Sequence, residues 1–90
     1  MMLTLAQLDA WAAFGGDPDG WARSAQRAAD PDAGRHWPVI DELVTGLTLV
    51  REGVASPAYA EALRARIATL APDPAVRDRL YSLAAAPRSA

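Results

Sequence analysis

The side chain best suited to acid–base chemistry at neutral pH is His36, the one histidine of the chain. Asp32 lies four residues before it, so a carboxylate could orient the imidazole as in a general base. A base also needs a nucleophile, and the chain has no cysteine and no serine in a nucleophile-elbow context. A histidine in a loop before a helix is far more often a solvated or capping side chain. We therefore predict no catalytic residue and no enzyme activity.

Two acidic segments, Asp17-Pro18-Asp19-Gly20 and Asp30-Pro31-Asp32, have the carboxylates that a calcium or magnesium ion would need. Their spacing does not fit a calcium-binding hand, because the position six residues after Gly20 is Gln26 and not glutamate. Capping of helices and formation of turns explain the same aspartates without a metal. We predict neither a metal nor a cofactor, although spacing alone does not decide whether these loops bind an ion.

Two tryptophans stand next to these acidic segments, away from any clear apolar stripe. We expect Trp21 and Trp37 to open two helices, where an indole can bury its body and leave an edge exposed. Together with Asp17, Asp19 and Asp32 they form a hypothetical partner-binding surface for a basic protein. The alternative is that both indoles are hydrophobic plugs at helix junctions. The sequence does not decide between exposed and buried indoles.

The elements that position these residues are helices, since proline and glycine fall between stretches of helical period and no alternation typical of strands occurs. We predict an all-α fold, a compact bundle of about five short helices. Cap residues followed by proline or by a capping-box partner mark the helix starts. The predicted helices run from Thr4 to just before Gly15, from Asp17 to about Ala29, from near Pro38 to just before Gly53, from Ser56 to about Leu70 and from Asp73 to about Ala84.

The third of these helices has the widest apolar stripe, which predicts that it is the central helix. Its stripe consists of Val39, Ile40, Leu43, Val44, Leu47 and Val50. Gly46 lies inside this helix and predicts that a neighbouring helix crosses closely there. The second helix has a thin apolar face of Trp21 and alanines, so it should be the weakest element. The segment from 30 to 37 has turn chemistry and should be the longest connection.

The length of 90 residues leaves room for one domain over residues 1–90, with an ordered core from about 3 to 86 and fraying from Ala85 to Ala90. The first nine residues lack the basic and continuously apolar stretches of a signal peptide, and no window is long and apolar enough to span a membrane. We therefore expect a cytoplasmic protein. The absence of cysteine excludes disulfide frameworks and cysteine-ligated zinc.

All nine basic residues are arginine, alanine is abundant, and lysine is absent. This bias is typical of GC-rich codons and suggests a bacterial source, so the arginines alone do not indicate a nucleic-acid site. The net charge of −2 also disfavours a nucleic-acid partner. The last two helices nevertheless resemble a helix-turn-helix pair in outline, with Arg77 and Arg79 where phosphates or base edges would lie.

By elimination, the sequence predicts a small non-catalytic protein that acts through protein–protein interaction, as a regulator, adaptor or neutralising partner. A DNA-binding regulator that uses its last two helices is the alternative. A further alternative, an enzyme or small-ligand binder, would need His36 with Asp32 or the loop carboxylates. We expect no membrane partner, and the oligomeric state stays open, including a homo-oligomer.

Overall fold

The computed structural model describes residues 1–85 and confirms the all-α prediction, with no strand in that range. Residues 1–85 form six α-helices, and one turn of 3-10 helix, Pro31–Gly34, precedes the longest of them. The α-helices are α1 (Leu5–Ala13), α2 (Pro18–Ala22), α3 (Ala25–Ala29), α4 (Trp37–Arg51), α5 (Pro57–Leu70) and α6 (Pro74–Ala85).

The helix starts follow from side chains that satisfy free backbone N–H groups. Thr4 and Gln7 form a reciprocal capping box at α1, with nitrogen-to-oxygen distances of 3.2 and 3.1 Å. Asp17 accepts a hydrogen bond from the Asp19 backbone at α2, and Ser56 does the same for Tyr59 at α5. The capping predictions at these three helices are confirmed.

The predicted second helix is two helices in the structure, because the helix is interrupted at Arg23 and Ser24. The Ser24 hydroxyl donates a hydrogen bond to the Trp21 carbonyl oxygen at 2.7 Å. Such a bond from a serine side chain to the nearby backbone competes with the hydrogen bonds that would continue a helix. None of the residues of α3 is buried. The sequence therefore identified the thin apolar face of this region correctly, but it did not show that the helix would break there.

The predicted central helix is α4, and the structure confirms its position, since α4 packs against α1, α5 and α6. Its most deeply buried side chains are those of Ile40, Leu43 and Val44. Leu47 is only half-buried, as are Val39 and Val50. The predicted apolar stripe is therefore the buried face of α4, and its side chains are most deeply buried in the middle of the helix, at Ile40, Leu43 and Val44.

The crossing predicted at Gly46 is made by α5. A Cβ at this position would lie 2.7 Å from the Tyr59 hydroxyl oxygen and 3.0 Å from a terminal carbon of Leu63. The glycine therefore lets α5 approach the backbone of α4 more closely than alanine would.

Within residues 1–85, no helix is both long and apolar enough to cross a bilayer. The fraying predicted from Ala85 onwards falls almost wholly outside the described residues, since Ala85 is the last residue of α6.

Candidate functional site

The two tryptophans of the hypothetical partner surface lie side by side. The ring centroids of Trp21 and Trp37 are 6.1 Å apart, with an angle of 34° between the planes. Phe14 meets Trp21 edge-to-face at 5.6 Å, the geometry that aromatic quadrupoles favour. The structure thus brings together two helix openings that are 16 residues apart in the sequence, as the hypothesis requires.

Of the two alternatives that the sequence left open, the structure has the buried one, because Trp21 is 7% exposed and Trp37 is 5% exposed. Trp37 donates its indole N–H to the Gly16 carbonyl at 2.9 Å. Gly15 and Gly16 both adopt left-handed conformations at the end of α1, which only glycine adopts without strain and which turn the chain back toward Trp37. Trp37 is therefore a plug at a helix junction.

The three aspartates of the hypothesis are all exposed. Asp17 caps α2, with its carboxylate 3.1 Å from the Asp19 backbone nitrogen. Asp32 pairs with Arg35 at 2.9 Å across one turn. Two of the three carboxylates thus have local structural partners, and their role in binding a partner stays a prediction.

A cleft that the sequence did not indicate lies between α1, α3 and the 3-10 helix. We call it the α1–α3 cleft; its volume is about 430 Å³. Its surface is mostly alanine, with Trp21 at one wall and two carboxylates and an amide as polar groups. The lining residues are Ala6, Asp9, Ala10, Ala13, Trp21, Gln26, Ala29, Asp30 and Ala33. The one signal in the sequence was the helical spacing of alanines 6, 10 and 13 beside Asp9, which resembles an ordinary core stripe.

Trp21 differs from the other two tryptophans in its hydrogen bonding. The indole N–H of Trp11 donates to Asp41 at 2.6 Å, and that of Trp37 donates to Gly16. The indole N–H of Trp21 makes no such bond within residues 1–85, although the side chain is more than nine-tenths buried. The nitrogen of this indole lies against Gly34 of the 3-10 helix, while the Trp21 side chain is one of the residues that line the cleft.

The two carboxylates of the cleft differ in their partners. Asp9 pairs with Arg79 of α6, at 3.0 Å, so part of its charge is already compensated. Asp30 forms no ion pair with residues 1–85. Asp30 is therefore the one of the two cleft carboxylates whose charge no ion pair with residues 1–85 compensates.

The other candidate residues lie outside this cleft. His36 is the left-handed residue before α4, with φ of 63°, and its side chain makes no capping bond. Among residues 1–85 no group of three or more histidines, aspartates or glutamates has the geometry to hold a metal ion. Of the two arginines proposed for DNA, Arg79 is engaged by Asp9, and Arg77 is half-buried beside α5.

No protein-family model, no curated protein and no solved structure matches this chain. The role of the α1–α3 cleft is therefore argued from its own residues.

Proposed function

We propose that this chain is a non-catalytic protein that binds another protein, as a regulator, adaptor or neutralising partner, and that its α1–α3 cleft receives a basic side chain of that partner. The observation that carries the proposal is that the Asp30 carboxylate, which forms no ion pair with residues 1–85, lines a cleft whose remaining surface is mostly alanine with the Trp21 side chain at one wall.

A polypeptide with an arginine or lysine has groups complementary to the carboxylate and to the apolar surface of the cleft. Its cationic head would meet Asp30, with Asp9 as a second, partly compensated acceptor. Its methylene stem would lie along the alanines of α1, since long basic side chains bury their stems on apolar surface. This apolar contact distinguishes a basic side chain from a simple metal cation, which has no stem to bury.

The distribution of charge supports a basic partner. Residues 1–50 contain seven acidic residues and three arginines, so the half of the chain that forms the cleft is acidic. Such a field accelerates the encounter with a cationic surface more than it adds to final affinity. No observation favours the DNA-binding alternative to a similar degree, because the Arg79 guanidinium is held by Asp9.

The test is site-specific photo-crosslinking in an extract of the source organism. A photoreactive residue replaces Ala29, which is exposed and lines the cleft, and in a matched control it replaces Ala62, which is exposed on α5 outside the cleft. We expect a defined protein adduct from position 29 alone. Asp30→Asn should abolish it, while Asp32→Asn should not, because Asp32 already pairs with Arg35. Identical adducts from positions 29 and 62 would contradict the proposal.

A further inference from the structure

A second concave surface lies between α5 and α6, on the side of the molecule that the proposed function does not use. We call it the α5–α6 groove; its volume is about 360 Å³. Arg64 of α5 and Arg77 of α6 line it from opposite walls, and Tyr81 lies one turn beyond Arg77. Ala68 and Pro74 supply exposed apolar surface between them. The groove therefore combines two cations, a hydroxyl and the carboxylate of Asp78 with an apolar floor.

The two arginines of the groove lack the counter-charges that neighbouring arginines have. Arg66 pairs with Glu42 of α4, and Arg79 pairs with Asp9 of α1. Within residues 1–85 no carboxylate lies within ion-pair distance of Arg64 or Arg77. Two uncompensated guanidinium groups thus face one groove.

Arg77 is the more unusual of the two. Its Nε–H is buried and has no hydrogen-bond partner, and its Nη2 lies 3.5 Å from the Pro72 carbonyl oxygen, at the limit of a hydrogen bond. A half-buried guanidinium without an anion is unfavourable, because it loses water without gaining an opposite charge. An anion in the groove would supply that charge.

We propose that the α5–α6 groove binds a small ligand that carries one oxyanion group, a carboxylate or a phosphate, on an apolar body. The planar guanidinium groups of Arg64 and Arg77 match the geometry of such an anion, and the Tyr81 hydroxyl adds a donor. The apolar body lies on Ala68 and Pro74. Asp78 also lines the groove, and its charge disfavours a long polyanion such as nucleic acid.

The experiment follows the arginine Nε–H signals of the full chain by NMR during titration with benzoate, phenyl phosphate and inorganic phosphate. We expect saturable shifts at Arg64 and Arg77. Phenyl phosphate should bind several-fold more tightly than inorganic phosphate, because only the former covers the apolar floor. The stronger of benzoate and phenyl phosphate identifies the class of oxyanion.

Two variants test whether the groove itself is responsible. Arg64→Gln should weaken binding at least about tenfold, since it removes a charge-assisted interaction. Arg27→Gln removes the same charge from exposed α3 and should leave the affinity unchanged. Absence of saturable shifts, or equal loss in both variants, would overturn the proposal. Tighter binding of a DNA duplex that Arg64→Gln abolishes would also overturn it, in favour of a nucleic-acid site.

Discussion

The indole of Trp21 lies directly against Gly34, so closely that a Cβ on the glycine would meet the indole Nε1 atom first and would fall 2.6 Å from Cε2. This contact joins the 3-10 helix to α2, and Trp21 is also one of the residues that line the α1–α3 cleft. Because residue 34 has no side chain, the indole can pack directly against its backbone.

Gly34→Ala should destabilise the protein by about 1–3 kcal/mol, because the added methyl group must displace a buried and rigid ring. The measurement is denaturant unfolding followed by circular dichroism. Asp32→Ala is the matched control in the same 3-10 helix; it loses only an exposed ion pair and should cost less than about 1 kcal/mol. Equal costs for the two variants would mean that the close contact is absent.

Trp37→Ala should cost about 3–5 kcal/mol in stability, because it empties a buried junction. Trp37→Phe should cost roughly 1 kcal/mol, mainly through the lost hydrogen bond to the Gly16 carbonyl. Tyr81→Ala, at an exposed aromatic, is the control for truncation of a ring. Should Trp37→Ala be as stable as the wild type, Trp37 would be a surface residue after all. The free energies of unfolding of these variants are to be measured by denaturant titration at one temperature.

Leu43→Ala should destabilise the protein by about 2–5 kcal/mol, since Leu43 is fully buried at the centre of α4. Leu47→Ala should cost less, because that side chain is only half-buried. Thr45→Ala, on the exposed face of the same helix, serves as the control. A larger loss for Leu47 than for Leu43 would be inconsistent with the packing described.

The hydrogen bond between Trp11 and Asp41 links α1 to α4, with a nitrogen-to-oxygen distance of 2.6 Å. A double-mutant cycle of Trp11→Phe and Asp41→Ala should give a coupling free energy of about 1.5–3 kcal/mol, as expected for a hydrogen bond to a charged acceptor. The cycle is measured by urea unfolding of all four proteins. A coupling indistinguishable from zero would exclude this bond as a link between the two helices.

The fold was predictable where a local signal sufficed. Thr4 with Gln7, and Ser56 before Pro57, mark helix starts through side chains within one turn, and the sequence shows them directly. The apolar spacing around Leu43 likewise identifies the central helix without knowledge of its neighbours. The break at Arg23 and Ser24 was not predictable in the same way, since serine occurs both inside helices and at their ends.

The candidate site was less predictable because it depends on contacts between distant segments. Trp21 and Trp37 stand beside acidic residues in the sequence. Their burial results from contacts with distant segments, such as the hydrogen bond from Trp37 to Gly16, and from the packing of the two rings against each other. Asp9 and Asp30 share a cleft although 21 residues separate them. Neither occupies a motif, so no spacing rule distinguishes them from ordinary surface carboxylates.

The most direct test of the proposed cleft is an NMR titration that follows the indole N–H signal of Trp21. The probe is a short blocked peptide with one arginine, and its control is the same peptide with the neutral isostere citrulline. We predict a saturable shift of the Trp21 signal with the arginine peptide, a much weaker response to the citrulline peptide, and loss of the response in Asp30→Asn. An equal response to both peptides, or a response that Asp30→Asn leaves intact, would contradict the account.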